Sequence, residues 1–320
     1  MKDLKIIIAG GTGFIGQSIA NYFGNDHEVI ILSRQLKAQQ TNTFGQSNTS
    51  TAKNIRYVKW DAASAGAWAK ELEGAHLLIN LAGKTVNCRY TAKNKQEIFD
   101  SRTLSTKAIG EAVQKCTSPP KLWLNAASAT IYPHATIAPR GESFTAFEND
   151  FSVQVCKEWE KTFFEQRTPF TRKIAMRMAI TIGSAGIMTP YFNLLKFGLG
   201  GKQGNGKQWY SWIHIEDTCR IIEWMYDHAE MEGVYNLSSP GAVTNNEFMK
   251  SLRKATGHKF GLPAQEWMLR MGAILIGTEP ELVLKSRWVL PGKLLATGYK
   301  FKYPEIEGAF KDIVAQTERK

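Results

Sequence analysis

Within its first sixteen residues the chain runs from a short apolar stretch (residues 4–9, Leu-Lys-Ile-Ile-Ile-Ala) into Gly10-Gly11-Thr12-Gly13-Phe14-Ile15-Gly16. A β-branched apolar run of that length reads as a strand buried on both faces. Beyond the glycines, Ile15, Ile19 and Phe23 recur four apart, one face of a helix. A strand, a glycine-rich turn and a helix in that order form a cradle for a pyrophosphate. Gly10 permits the tight turn, Gly13 lets the backbone approach the phosphates, and Gly16 allows helix and strand to pack closely. The helix amino-terminus adds N–H groups and positive dipole. The chain is therefore expected to bind a nicotinamide dinucleotide, and few other chain architectures accommodate such a start.

The rest of the first half repeats the alternation. Strands are expected over residues 27–33, 55–60, 77–81, 122–127 and 174–182. A long helix precedes Pro119-Pro120, and the polar residues 35–54 between the second and third strands read as a surface loop. The fold class implied is α/β: a Rossmann-type doubly wound parallel sheet with a smaller C-terminal α+β substrate lobe. The dinucleotide-binding domain is placed at residues 1–182 plus about 213–240, and the lobe at about 183–212 plus 241–320. The glycine-rich stretch 198–206 is expected to be a loop, and residues 215–228 a helix.

The end of the second strand bears on which dinucleotide is held. A carboxylate there would take the ribose 2′-hydroxyl; this chain has Ser33 and Arg34 instead. A guanidinium pairs with a 2′-phosphate, and Ser33 can donate a further hydrogen bond, so NADP(H) is favoured over NAD(H). Asp61, after the third strand, either accepts from the adenine amino group or caps a helix. Leu81, Ala82 and Gly83 end the fourth strand with small residues that let backbone pass close to the ribose.

Of 320 residues 43% are hydrophobic, enough for a full core, and the formal charge is +11. The basic residues are scattered, without a nucleic-acid motif, and suit attraction of anionic small molecules. Cys88, Cys116, Cys156 and Cys219 show no metal or redox spacing, so no metal is expected and a reducing compartment is. The opening apolar run is too short for a secretory leader, and residues 267–276 are interrupted by Arg270 and Gly272. A cytoplasmic protein without membrane partner is the expectation. The apolar residues Trp267, Leu269, Met271 and Ile274 belong either to lobe core or to a contact between two copies, as in a homodimer.

Taken together, the glycine loop, Asn80-Leu-Ala-Gly83, Ala127-Ser-Ala-Thr-Ile-Tyr132 and Trp212-Ile-His-Ile-Glu-Asp217 resemble the extended short-chain dehydrogenase/reductase superfamily, which includes sugar-nucleotide epimerases. More narrowly, Arg89-Tyr-Thr91, Asp100-Ser-Arg102, Cys156-Lys-Glu-Trp-Glu160, Gly198-Leu-Gly-Gly201 and the tail from Leu282 to Pro304 resemble its epimerase family branch with a C-terminal domain of unknown function. The resemblance implies a serine, a tyrosine and a lysine at the reacting centre, the last two spaced Tyr-x-x-x-Lys. The tyrosine would move the proton and the serine would polarise the substrate oxygen.

Ser128 matches the serine. The tyrosine should fall at Ser152 or Val153, and neither is one. One alignment keeps Lys157 as the lysine with Val153 at the lost tyrosine; the other places Ser152 and Cys156 there. Lys157 is then either a surviving contact to the cofactor ribose or a solvated helix lysine. Replacement acids are Tyr132 or Tyr90, with Arg89, Arg102 and Lys84 as cations able to lower a phenol's pKa. Arg102 faces the nicotinamide end, an anionic substrate or a structural partner. His214 reads as a core or cap histidine, and Trp209, Tyr210 and Trp212 line a cleft or fill a core. Two functions follow: an NADP(H)-dependent oxidoreductase or epimerase-like enzyme on a small hydroxyl- or carbonyl-bearing substrate, or a non-catalytic NADP(H)-binding sensor.

Overall fold

The computed structural model describes residues 3–35, 54–276, 279 and 284–318. Most of the polar segment read as a loop, residues 36–53, lies outside them. The elements in chain order are β1 (Lys5–Ala9), α1 (Phe14–Phe23), β2 (Glu28–Ser33), β3 (Ile55–Lys59), β4 (Leu77–Asn80), α2 (Ala92–Gln114), β5 (Leu122–Ser128), α3 (Phe151–Phe164), β6 (Arg172–Met178), β7 (Ile180–Ile182), α4 (Met188–Lys196), β8 (Trp209–Tyr210), β9 (Trp212–His214), α5 (Ile215–Asp227), β10 (Gly233–Leu237), β11 (Val243–Thr244), α6 (Asn245–Ala255), α7 (Glu266–Ile276), α8 (Gly292–Ala296) and α9 (Ile306–Glu318). Short 3-10 segments, Ala67–Leu72 and Ala129–Ile131, precede β4 and follow β5.

Seven strands form one sheet in the order β10-β6-β5-β4-β1-β2-β3, every pair parallel. Because successive side chains of a strand point to opposite faces, each apolar run supplies two cores. Ile6, Ile8, Val29, Ile31, Leu77 and Ile79 pack on one face with Ile19 and Phe23 of α1 and Ile221, Ile222 and Met225 of α5. Ile7, Ile30, Leu32, Leu78 and Trp123 pack on the other with Ile109 and Val113 of α2 and Phe163 of α3. The strand order reverses between β1 and β4. Connections there leave on opposite faces, opening a crevice beyond the strand ends.

Two boundaries differ from the sequence reading. The strand expected over residues 174–182 is two strands, parted at Ala179. The Ala179 N–H donates to Leu237 in the main sheet and the Ile180 N–H to Ser211 outside it, 3.0 and 3.1 Å away. The chain thereby leaves the sheet, and β7 pairs with β9 instead. At the tail, Leu294 and Tyr299 join the core beneath α5, although residues 241–320 had been placed wholly in the second lobe.

That lobe has its own core of Met188, Tyr191, Leu195, Tyr210, Trp212, Phe248, Leu252, Phe310 and Ile313. The stretch 198–206 is a loop with Gly198, Gly204 and Gly206 at positive φ. Trp267, Met268 and Met271 of α7 are exposed, so these side chains are not lobe core. No helix among the described residues is long and apolar enough to cross a membrane.

Candidate active site

Beyond the end of β1 the backbone turns through Gly10, whose φ is +74°. A Cβ there would lie 2.7 Å from Ala82 Cα and N, so the turn is pressed onto the chain leaving β4. That places the glycine loop and Leu81-Ala82 side by side at the switch point. The Leu81 N–H donates to Ala9 across it, 2.8 Å, and the Ala82 N–H to the Asn80 side chain, 3.1 Å. A Cβ on Gly16 would meet Gly11 Cα at 2.5 Å; this glycine brings helix to loop rather than helix to strand. Gly13, the residue before α1, faces open space, and α1 has neither a side-chain cap nor an acidic residue in its first turn. An uncapped helix end with positive dipole, opening outward at Gly13, fits a diphosphate. Phe14 wedges against Gly183 and Gly186 and so ties the cradle to the chain entering the second lobe. Ile15 packs on the core, and Thr12 is half-buried at the turn.

At the adenosine side, Arg34 is exposed at the tip of β2. Ser33 differs from expectation: it is buried, and its hydroxyl proton goes to the Gln35 carbonyl, 2.8 Å, so it has none to donate to a phosphate. Asp61 caps a turn and not a helix. It accepts from the Ala63 and Ser64 N–H groups, both 2.9 Å, and from the Ser64 hydroxyl. The Ser64 hydroxyl, then the two N–H groups, hold its carboxyl down to about 2.

The reacting end is built where β5 meets α3. Ser128 closes β5; its hydroxyl donates to Thr130 Oγ1, 2.9 Å, and accepts from the Thr130 N–H, 3.1 Å. Facing it is the inward side of α3, whose Val153 and Cys156 pack with Ala129. The Cys156 thiol lies within hydrogen-bonding reach of Ser128, and burial pushes it up to about 12, so it stays neutral. Lys157 points away and is exposed. One alignment thus pairs the buried Val153 with an exposed Lys157, and the other a half-buried Ser152 with the buried Cys156; neither puts a tyrosine–lysine pair on the inward face. Lys157 is a solvated lysine, one residue round the helix from the inward face.

Tyr132 requires correction as a candidate acid. It is fully buried; its hydroxyl accepts from Arg177 Nη1, 2.8 Å, and donates to Asn236 Oδ1, 2.9 Å. Burial, outweighing Arg177, raises this phenol above its ordinary value. Arg177 in turn makes a two-point ion pair with Glu160, 2.8 Å at each contact, so the tyrosine belongs to a structural network. Sequence reading missed that network. Its signal was an arginine between two methionines, in the buried stretch of β6 that follows Arg172 and Lys173.

Tyr90 lies against Phe151, the first residue of α3, with ring centroids 5.1 Å apart. It lies within electrostatic reach of Arg102. Arg102 lies on Gly83 and over the Trp159 ring, 5.0 Å to its centroid. Its Nη1 donates to the carbonyls of Lys84, 3.1 Å, and Ile98, 2.9 Å. Lys84 is itself paired with Glu97, and Arg89 with Glu279.

Other residues singled out fall elsewhere. Tyr210 and Trp212 are core, while Trp209 stacks on Trp288 with centroids 4.0 Å apart. His214 is buried and begins α5, its Nδ1 accepting from the Glu216 N–H, 3.2 Å. With Glu216 and Asp312 it forms a group whose donor atoms lie within 4.8 Å. The Nδ1 lone pair is already used, so the ring proton sits on Nε2, towards Asp312 and in place of a ligand lone pair. The described cysteines are all free.

Sheet, switch-point crevice and glycine cradle together define a Rossmann-type protein of the short-chain dehydrogenase/reductase kind. A model of the NAD dependent epimerase/dehydratase family matches residues 6–153, and one of a domain of unknown function (DUF1731) matches residues 266–313. The chain is 30% identical over 313 residues to the epimerase family protein YfhF of Bacillus subtilis, spanning 98% of each. It is 32% identical over 311 residues to the epimerase family protein SSP1921 of Staphylococcus saprophyticus, spanning 96% of this chain and 98% of that one. The chain therefore belongs to the epimerase family, in the branch with that C-terminal domain.

Among solved structures, the human epimerase family protein SDR39U1 (isoform 2), crystallised with NADPH, superposes with a TM-score of 0.83 at 26% identity, over 97% of this chain and 99% of that one. A UDP-N-acetylglucosamine 4-epimerase from Methanobrevibacter ruminantium M1 superposes at 0.78 over 100% and 99%; at 15% identity it shows the fold alone.

Proposed function

We propose that the protein is an NADP(H)-dependent oxidoreductase or epimerase-like enzyme acting on a small hydroxyl- or carbonyl-bearing substrate. The observation that carries this reading is the cradle: a glycine turn pressed on Ala82, with an uncapped helix end open at Gly13. Gly10, Gly11, Thr12, Gly13 and the first turn of α1 would hold the diphosphate, and Leu81, Ala82 and Gly83 would border the nicotinamide ribose. Arg34 would meet the 2′-phosphate, and the human relative crystallised with NADPH supports that choice. When bound, the nicotinamide supplies hydride chemistry. Ser128 would orient the substrate oxygen, and Tyr90, within electrostatic reach of the Arg102 cation, would pass its proton.

A second reading, a non-catalytic NADP(H) sensor, is favoured by one observation. The inward face of α3 carries Val153 and Cys156, with Ser152 half-buried beside them, and no tyrosine stands where the proton-transfer pair would be. Absorbance of NADPH followed against a panel of small ketones, aldehydes and alcohols separates the two. The enzyme reading expects substrate-dependent oxidation or reduction, reduced on the order of 100-fold by Ser128→Ala. Tight NADPH binding without turnover on any member would leave the sensor reading.

A further inference from the structure

The second lobe turns apolar side chains outward. Residues 198–204 and 261–264 run side by side: the Leu262 N–H donates to the Gly198 carbonyl, 2.8 Å, the Gly201 N–H to Leu262, 3.0 Å, and the Ala264 N–H to Lys202, 3.0 Å. Glycine permits that approach, since a Cβ on Gly201 would lie 2.5 Å from the Leu262 carbonyl carbon. Leu199 and Leu262 are exposed on this pair of segments, and Phe197 and Phe260, which lead into them, are 78% and 68% exposed. Helix α7 follows directly after Gln265. Trp267, 63% exposed, and Met271 stand one turn apart on it, and none of its described side chains is buried.

The charges on these segments are of one sign. Residues 184–210 and 248–265 contain no aspartate or glutamate, against three lysines in the first stretch and three lysines with one arginine in the second. Lys196, Lys202 and Lys259 are exposed and make no ion pair among the described residues. Two carboxylates stand at the border, and each is already paired, Glu266 with Arg270 and Glu307 with Lys254. A second copy docked on this face by two-fold symmetry would oppose like charges. Rings that are two-thirds exposed project singly and do not wall a groove for a helix. Projecting aromatic side chains among lysines match the boundary of an anionic bilayer, where the rings enter the interface and the ammonium groups meet phosphates.

We propose that the second lobe docks on the surface of a membrane rich in anionic lipid, with Phe197, Phe260 and Trp267 entering the interface and Lys196, Lys202 and Lys259 meeting the headgroup phosphates. A peripheral contact of this kind needs no spanning helix. The expectation of no membrane partner rested on the want of a spanning segment and a leader, and neither bears on it. One ring or one cation alone holds a bilayer weakly; the binding comes from both acting together. The contact uses no residue of the glycine cradle or of the Ser128 end, so it stands independently of the dinucleotide reading.

The test is co-sedimentation of the full chain with vesicles of phosphatidylcholine alone and of phosphatidylcholine with about 30% phosphatidylglycerol, at about 0.1 M salt. The protein is expected to bind the anionic vesicles on the order of tenfold more tightly than the neutral ones. Phe260→Ser and Trp267→Ser should each weaken that binding about tenfold. Lys202→Gln and Lys259→Gln combined should weaken it by a similar factor, on the order of tenfold. Thermal melting shows that each variant is folded. The proposal falls if neither vesicle binds, or if neutral vesicles bind as well as anionic ones. It falls too if both folded aromatic variants bind like the parent, which would leave only general attraction by a basic surface. Light scattering that finds the parent dimeric and Phe260→Ser monomeric would overturn it as well, giving the face to a second copy.

Discussion

His214 shows how one side chain ties the two lobes and carries a pH dependence. It sits fully buried at the start of α5, its ring 4.1 Å from that of Tyr303 and its Nε2 3.3 Å from Asp312 of α9. Burial lowers its pKa, more than Asp312, Asp217 and Glu216 raise it. The unfolded chain takes up this proton near pH ~6.5, and the folded chain only at lower pH. Between the two the unfolded state binds more protons, so stability is lost as pH falls below about 6.5. Guanidinium unfolding at pH 8 and pH 5.5 should show a steeper loss for the parent than for His214→Gln. Equal losses would contradict the assignment. At this scale the glycines, Ser128 and the capping histidine were legible, because each is tied to local backbone geometry. Tyr132 was not, since only tertiary structure brings Arg177 and Asn236 to its hydroxyl.

Among the elements, α3 decides most. Its inward face is read by period: Val153, Cys156, Trp159, Glu160 and Phe163 are buried, and Lys157 falls outside. A linear motif search centres on Lys157, whereas the helix angle excludes it. Glu160 is the charged member of that face, clamped to Arg177 of β6. Removing one partner of a buried pair strands the other charge. Glu160→Ala is therefore expected to lower unfolding free energy by about 3–5 kcal/mol. A loss under about 1 kcal/mol, measured by denaturant titration, would mean that solvent already screens the pair. Strands β1 to β6 were legible from their apolar runs. The edge strand β10 was missed, being five residues with only its last three buried, and the split at Ala179 was missed because apolar residues continue unbroken across it.

For the molecule as a whole, alternating strands and helices determined the layered sheet, and the sheet order placed the glycine turn and the end of β4 at one crevice. What sequence left open was how the tail returns. Residues around Leu294 and Tyr299 brace α5 while the Arg287 segment crosses to Trp209 and Arg140. Contacts of that range have no local pattern to betray them. The formal charge of +11 gives the surface a general attraction for a phosphorylated ligand.

Titration calorimetry of folded protein with NADPH and with NADH, side by side, tests the central claim most directly. The account predicts that NADPH binds on the order of tenfold tighter or more, and that Arg34→Ala removes this preference while leaving NADH binding unchanged. Heat from neither dinucleotide, or NADH binding as tightly as NADPH, would contradict it.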